Sequence, residues 1–438
     1  MDQDQVSSHE SIAKMLEAGD VSGALCMAVP MLEAAPGDLV VWHQVLEALV
    51  ALGAEKDTLI FWPQLAEAWA GSRNLTMALA CALEFRDAGG NPNLVFGELA
   101  RLYSKTSDRL SNADLPPPPI PGGRGVPPLE EVSEKKLKNM AKDACFLAVA
   151  AAEAIAAGSE KLPAMPLWSM LESEAFTDLA GELEIIRASE EQILISEGDP
   201  GDALYLIARG GVRVWKENAS GEARELAKLS SGAFVGEMSI VSSAPRVASV
   251  SASIGAILLK LSRQSLDTLV SRHASMGEVL VAFCHSRMLE NLLRTSPVLS
   301  AVPAEKRTDL LSMFETRKVE AGKLILRQGR EGPGLCLIAN GSVSVYREDG
   351  GEKLVLAELA PGNIFGEISL VMQKPVTANV RAEEDTLMLF LPREKFLDAV
   401  KAYPELLSSA YQTAIERDAV TSSILAQDAV EADDLILV

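Results

Sequence analysis

The sequence predicts a multidomain α+β protein, with an N-terminal all-α helical-repeat domain followed by two β jelly-roll barrels with flanking helices. Three observations predict it. Residues 6–103 place apolar residues at helical spacing and show no strand alternation. A proline- and glycine-rich run follows, which can continue neither a helix nor a β-ladder. Beyond it, one pattern of short stretches and glycine-marked turns occurs twice, 130 residues apart.

In the helical part, Ile12, Leu16, Ala24, Leu25 and Ala28 follow a helical period that Gly19-Asp20 interrupts. Pro36-Gly37-Asp38 stops one helix and starts the next. A later block echoes the arrangement: Ala78, Ala82 and Pro92 stand where Ala24, Ala28 and Pro36 stand, with an offset drifting from 54 to 56. Small residues allow paired helices to cross closely, and the proline closes the second helix. This order is similar to a tetratricopeptide repeat. The resemblance implies about three helix pairs with a concave protein-binding face. Residues 1–104 are therefore expected to capture an unidentified protein partner, and their deletion to spare ligand binding elsewhere. A generic helical bundle is the alternative.

Residues 105–132 form a linker, with Pro116 to Pro119, Pro121-Gly122-Gly123 and Pro127-Pro128 favouring extended backbone. A connecting helix is expected within 133–166, where the chain is alanine-rich. The first β domain with its helices takes 167–295 and the second 296–420, leaving an acidic tail at 421–438. Turns at 198–201, 218–221 and 231–232 give the first β domain the rhythm of an antiparallel jelly roll.

Phe234 to Ala252 organises the β region. Gly236 permits close backbone approach to a ligand. Glu237 is an acceptor suited to sugar hydroxyls, and Arg246 is a donor fork suited to phosphate. A helical turn from Met238 would aim free N–H groups at an anion. The segment Val235-Gly236-Glu237-Met238-Ser239-Ile240, followed by Pro245-Arg246-Val247-Ala248-Ser249-Val250, resembles the phosphate-binding cassette of cyclic-nucleotide-binding domains. That family includes regulatory subunits of the cAMP-dependent kinase and the bacterial catabolite activator. The resemblance implies that Glu237 takes the ribose 2′-hydroxyl and Arg246 the cyclic phosphate, in a pocket formed by Val235, Gly236, Glu237, Met238, Ser239, Arg246, Val247 and Ala248. Phe283, His285 or Met288 on the following helix would approach the base, with ordinary helix surface or packing as the alternative for each. Val247, which offers no hydrogen bond where a guanine-selective relative carries threonine, implies cAMP rather than cGMP.

The cassette returns as Phe365-Gly366-Glu367-Ile368-Ser369-Leu370 and Pro375-Val376-Thr377-Ala378-Asn379-Val380. Val376 stands where the first copy has Arg246. One nucleotide per chain is expected, in the first copy. Lys374, before the proline, is expected to point to solvent.

Composition narrows the alternatives. The net charge is −21, which argues against nucleic acid or an anionic membrane surface as partner. Five dispersed cysteines form no C-x-x-C pair, and the four histidines show no metal-ligand spacing, so no metal is expected. The polar, acidic N-terminus has no signal-peptide pattern, which implies a cytoplasmic protein. No catalytic motif is present, so no enzyme activity and no catalytic residue are expected. Together these features describe a cAMP-sensing signalling adaptor. The alternatives are a protein-interaction scaffold that binds no nucleotide and a regulatory subunit of a separate enzyme.

Overall fold

The computed structural model describes residues 3–111, 115, 126–130, 132–157, 161–217, 223–237, 246, 248–349 and 352–434. Most of the proline run, Met238, Ser239, Pro245, Val247 and the last four residues lie outside them. The chain forms two compact units, residues 1–240 with 245–283, and 241–244 with 284–438.

The first unit opens with seven helices: α1 (Gln3–Glu17), α2 (Val21–Ala34), α3 (Leu39–Ala51), α4 (Glu55–Thr58), α5 (Trp62–Gly71), α6 (Leu75–Asp87) and α7 (Asn93–Tyr103). Their starts follow the polar residues between apolar runs. Asp20 caps α2 by accepting from Gly23 N at 2.9 Å, and Asn74 caps α6 by accepting from Met77 N at 3.0 Å. Asp38 caps α3 through Val40 and Val41, and its other oxygen meets His9 Nε2 at 2.9 Å, tying α1 to that cap. Trp42, Trp62, Leu25, Leu32, Leu46 and Leu49 are fully buried between the helices. The alanine-rich helix α8 (Glu134–Ala157) does more than connect: it packs on α2, α3 and α5 and completes the helical layer. Gly71 shows how closely, since a Cβ there would stand 2.6 Å from Ala156 Cα.

A short parallel pair, β1 (Leu110–Ser111) with β2 (Leu162–Pro163), and helix α9 (Ser173–Gly181) lead into the first β domain. Its strands are β3 (Glu184–Ala188), β4 (Ile193–Ile195), β5 (Ala203–Arg209), β6 (Gly211–Glu217), β7 (Ala223–Ser230), β8 (Phe234–Val235), β9 (Ser249–Ala252) and β10 (Ala256–Ser262). They pair as two four-stranded sheets, β3-β10-β5-β8 and β4-β9-β6-β7, so a two-sheet sandwich stands where the sequence predicted a barrel. Alternation decides which residues lie between the sheets. Tyr205, Ile207 and Leu258 of one sheet share a core with Ile195, Val212 and Val250 of the other. Helices α10 (Arg263–Arg272) and α11 (Met276–Thr295) follow.

The second unit repeats the plan. Short helices α12 (Pro297–Ser300) and α13 (Ala304–Ser312) precede β11 (Glu315–Val319), β12 (Leu324–Leu326), β13 (Gly334–Asn340), β14 (Val343–Asp349), β15 (Glu352–Leu359), β16 (Ile364–Phe365), β17 (Asn379–Ala382) and β18 (Thr386–Pro392). The sheets are β11-β18-β13-β16 and β12-β17-β14-β15, the same orders in register with the first domain. Helix α14 (Glu367–Val371) sits inside the second cassette. Two helices follow the strands, α15 (Arg393–Ala402) and α16 (Pro404–Asp434), separated because Pro404 cannot continue the first. No helix among the described residues is long and apolar enough to cross a membrane.

Candidate functional site

The first cassette starts where β8 ends. Val235 pairs with Tyr205 of β5, and the chain then turns at Gly236 with φ of 86°. A Cβ at 236 would lie 2.4 Å from Arg246 Nη1 and 2.9 Å from Ala203 O, so only glycine fits. Glu237 follows and is 9% exposed. The return half of the cassette is held by the backbone. Arg246 N donates to Asp199 O and Gly198 N donates to Arg246 O, both at 2.8 Å. Ala248 is buried beside it, and Ser249 accepts from Glu197 N at 3.0 Å as β9 begins.

This frame drives the Arg246 side chain inward, where it is 3% exposed. Nη1 donates to Gly236 O at 3.0 Å, and Nη2 donates to Ala203 O at 2.7 Å and to Asp202 Oδ1 at 3.3 Å. The guanidinium is thus fixed against the glycine turn that leads to Glu237. The Asp202 carboxylate that it meets is 77% exposed and provides a screened counter-charge. Sequence reasoning missed Asp202. Its signal was available: an acidic residue at the start of the strand opposite the arginine.

Val235, Gly236, Glu237, Arg246 and Ala248 are therefore brought together, while Met238, Ser239 and Val247 lie outside the described residues. Phe283 does not stand free over a pocket. It is 2% exposed and packs edge-on against Phe234, with ring centroids 4.7 Å apart. The side chains of His285 and Met288 are outside the described residues.

The second cassette reproduces the backbone. Val376 N donates to Arg330 O and Gly329 N donates to Val376 O, again at 2.8 Å. Gly366 has φ of 87°, and a Cβ there would lie 2.6 Å from Gly334 O. Val376 thus stands in the structural place of Arg246, and its side chain joins the apolar core with Leu326, Phe365 and Val380. The strand starts Ala203 and Gly334 put Pro333 in the place of Asp202. Both members of the charged pair are gone. A cavity of about 200 Å³ remains, walled by Leu326, Val345, Leu359, Phe365 and Val376, with Glu367 in its lining. Glu367 is 2% exposed, and Arg417 Nη1 from α16 meets its Oε1 at 3.0 Å. Burial pushes the Glu367 carboxyl up, and Arg417 draws it back down. Lys374 is exposed, as expected, and its Nζ lies 3.0 Å from Asp418 Oδ2, also on α16.

A third polar cluster was invisible in the sequence. His43 and Glu47 of α3 and Glu84 of α6 bring ligand atoms within 4.8 Å of one another. Arg187 of β3 contacts Glu84, and Arg209 at the end of β5 reaches Glu47 Oε2 at 3.1 Å and His43 Nδ1 at 3.0 Å. Two guanidiniums already balance the two carboxylates, so this donor set does not fit a metal ion. Burial pushes the His43 pKa down, against the pull of Glu47. Burial raises Glu47, but Arg209, His43 and Arg187 outweigh it and hold the carboxyl well below its ordinary range. The cluster joins the helical layer to the first β domain. Arg86 of α6 adds bonds to Gly181 O and Leu183 O at 3.1 and 3.0 Å.

The chain has recognisable relatives among known proteins. Residues 185–273 and 316–403 each match the cyclic nucleotide-binding domain family. The chain is 27% identical over 219 residues to a cAMP-dependent protein kinase regulatory subunit of Blastocladiella emersonii, covering 50% of this chain and 52% of that protein. It is 26% identical over 306 residues to the type II regulatory subunit of Drosophila melanogaster, covering 69% and 76%. Among solved structures, the regulatory domain of Toxoplasma gondii PKA with cAMP aligns at 23% identity over 57% of this chain and 92% of that one, with a TM-score of 0.28. The match thus spans about half the length of the first relative and three quarters of the second. The chain thus has two tandem regions that resemble cyclic nucleotide-binding domains and is similar to regulatory subunits of cAMP-dependent protein kinase.

Proposed function

We propose that the chain is a cyclic-nucleotide sensor that binds one molecule of cAMP, in its first β domain, and conveys occupancy to a protein partner. The observation that carries this reading is the buried Arg246 fork, set against the Gly236 turn ahead of Glu237. A cyclic phosphate carries one negative charge, and in a sheltered site it needs a fixed cation. The first domain has one; the second has Val376 in that place. The preference for cAMP over cGMP rests on Val247, which gives the guanine amino group no acceptor.

The relatives are named as regulatory subunits, which favours a regulatory role beside a separate enzyme over a scaffold that binds no nucleotide. The N-terminal helices, read as degenerate tetratricopeptide-like repeats, supply a surface for the partner. One of their faces is already engaged by the first β domain, so partner contact falls to the remainder. Titration calorimetry of the full chain tests the reading. cAMP binding with a stoichiometry near one, lost in Arg246→Leu and kept in Glu367→Ala, is the expected result. Two sites of similar affinity, or binding unchanged in Arg246→Leu, would refute it.

A further inference from the structure

Among the described residues, Glu367 is the most buried charged group of the second domain, and its partner comes from an unexpected place. A carboxylate in an apolar cavity needs a compensating charge or hydrogen bonds. The second cassette has lost its own arginine, and the cation present is Arg417 of α16, which lies beyond the residues that match the family. The same Nη1 also donates to Ile364 O, on the strand leading into the cassette. The next residue, Asp418, is held by Lys374 from the far end of the cassette. Consecutive residues of one helix therefore bind both ends of the turn. Arg417, Glu416, Val420 and Thr421 line the cavity between them.

We propose that Arg417 is a specificity-determining residue of the second domain: it occupies the carboxylate that a ribose diol would need, so the pocket excludes cyclic nucleotides independently of the missing arginine. This rests on the reading that these cassettes take cyclic nucleotides through their glutamates. A diol entering the pocket must compete with the Arg417 guanidinium for Glu367, and it must displace that guanidinium from Ile364 O as well. The hydroxyl bonds gained by Glu367 would themselves be charge-assisted, so the cost of the exchange lies in stripping Arg417 of its counter-charge at the cavity wall. Restoring a phosphate-binding arginine alone leaves the diol position filled.

The test silences the first site with Arg246→Leu in the full chain and titrates cAMP. Pro333→Asp with Val376→Arg grafts the first domain's charged pair into the second. The graft alone is expected to bind weakly, and adding Arg417→Gln is expected to tighten binding at least tenfold. Equal affinity with and without Arg417→Gln overturns the proposal. If thermal melting shows that the graft unfolds the second domain, adenosine replaces cAMP in the Arg246→Leu chain without it. Binding gained only with Arg417→Gln supports the proposal, and an unchanged response overturns it. Absence of cAMP binding in the wild type would instead count against the first-site reading, which this comparison leaves aside.

Discussion

Arg246 and Val376 occupy equivalent places in two copies of one turn, fixed by the same pair of 2.8 Å backbone bonds. What differs is the side chain and the strand residue facing it, Asp202 in one copy and Pro333 in the other. Arg246→Lys is therefore expected to fail almost as fully as Arg246→Leu. A single ammonium cannot span Gly236 O and Ala203 O as the fork does, and a loss of about tenfold to a hundredfold in cAMP affinity should appear in calorimetry. Gly236→Ala would combine a positive φ with a Cβ driven against Arg246 Nη1. We expect destabilisation of about 1–3 kcal/mol and a parallel loss of binding, read by thermal melting and titration. Binding retained in that variant would show that the guanidinium can move without consequence.

At the scale of elements, β5 carries the site at one end and the helical layer at the other. Ala203 accepts from Arg246, whereas Arg209 reaches Glu47 and His43. Glu47→Gln would leave the Arg209 guanidinium, 17% exposed, without its carboxylate, while Arg187 is 47% exposed and keeps Glu84, so the expected cost is about 1–3 kcal/mol at neutral pH. The pH dependence has a definite sign. The Glu47 carboxyl is held below its ordinary value of 4.5 in the folded protein, so its contribution is full above that pH and is lost as pH falls. Melting curves from pH 7 to pH 3 should fall more steeply for the wild type than for Glu47→Gln, and equal slopes would contradict the assignment. The Lys374–Asp418 pair is different in kind. Both side chains are at least one third exposed, and Asp418→Ala is expected to cost less than about 1 kcal/mol in the same assay.

At the scale of the whole molecule, the N-terminal helices and the first β domain are one compact unit. The sequence led us to expect that removing residues 1–104 would spare nucleotide binding. The contacts argue for a different outcome, because the deletion strips Arg187 and Arg209 of Glu84 and Glu47 and uncovers apolar surface. The truncated chain should aggregate or melt well below the full one, with cAMP binding reduced. A soluble fragment with full affinity would show that the layer is dispensable.

The sequence by itself determined what is local or repeated. Periodicity, capping aspartates and glycine turns placed the helices and both β domains, since these signals depend on residues a few positions apart. The 130-residue repeat located both cassettes and exposed the missing arginine, because an internal copy supplies its own reference. Tertiary structure alone decided the contacts between distant segments: Asp202 beside Arg246, Arg417 on Glu367, and the five-residue clamp that spans α3, α6, β3 and β5. Each joins residues more than forty positions apart, and a charged residue in sequence reads the same whether it faces water or a buried partner. Only folding, by removing the water, makes those pairings decisive.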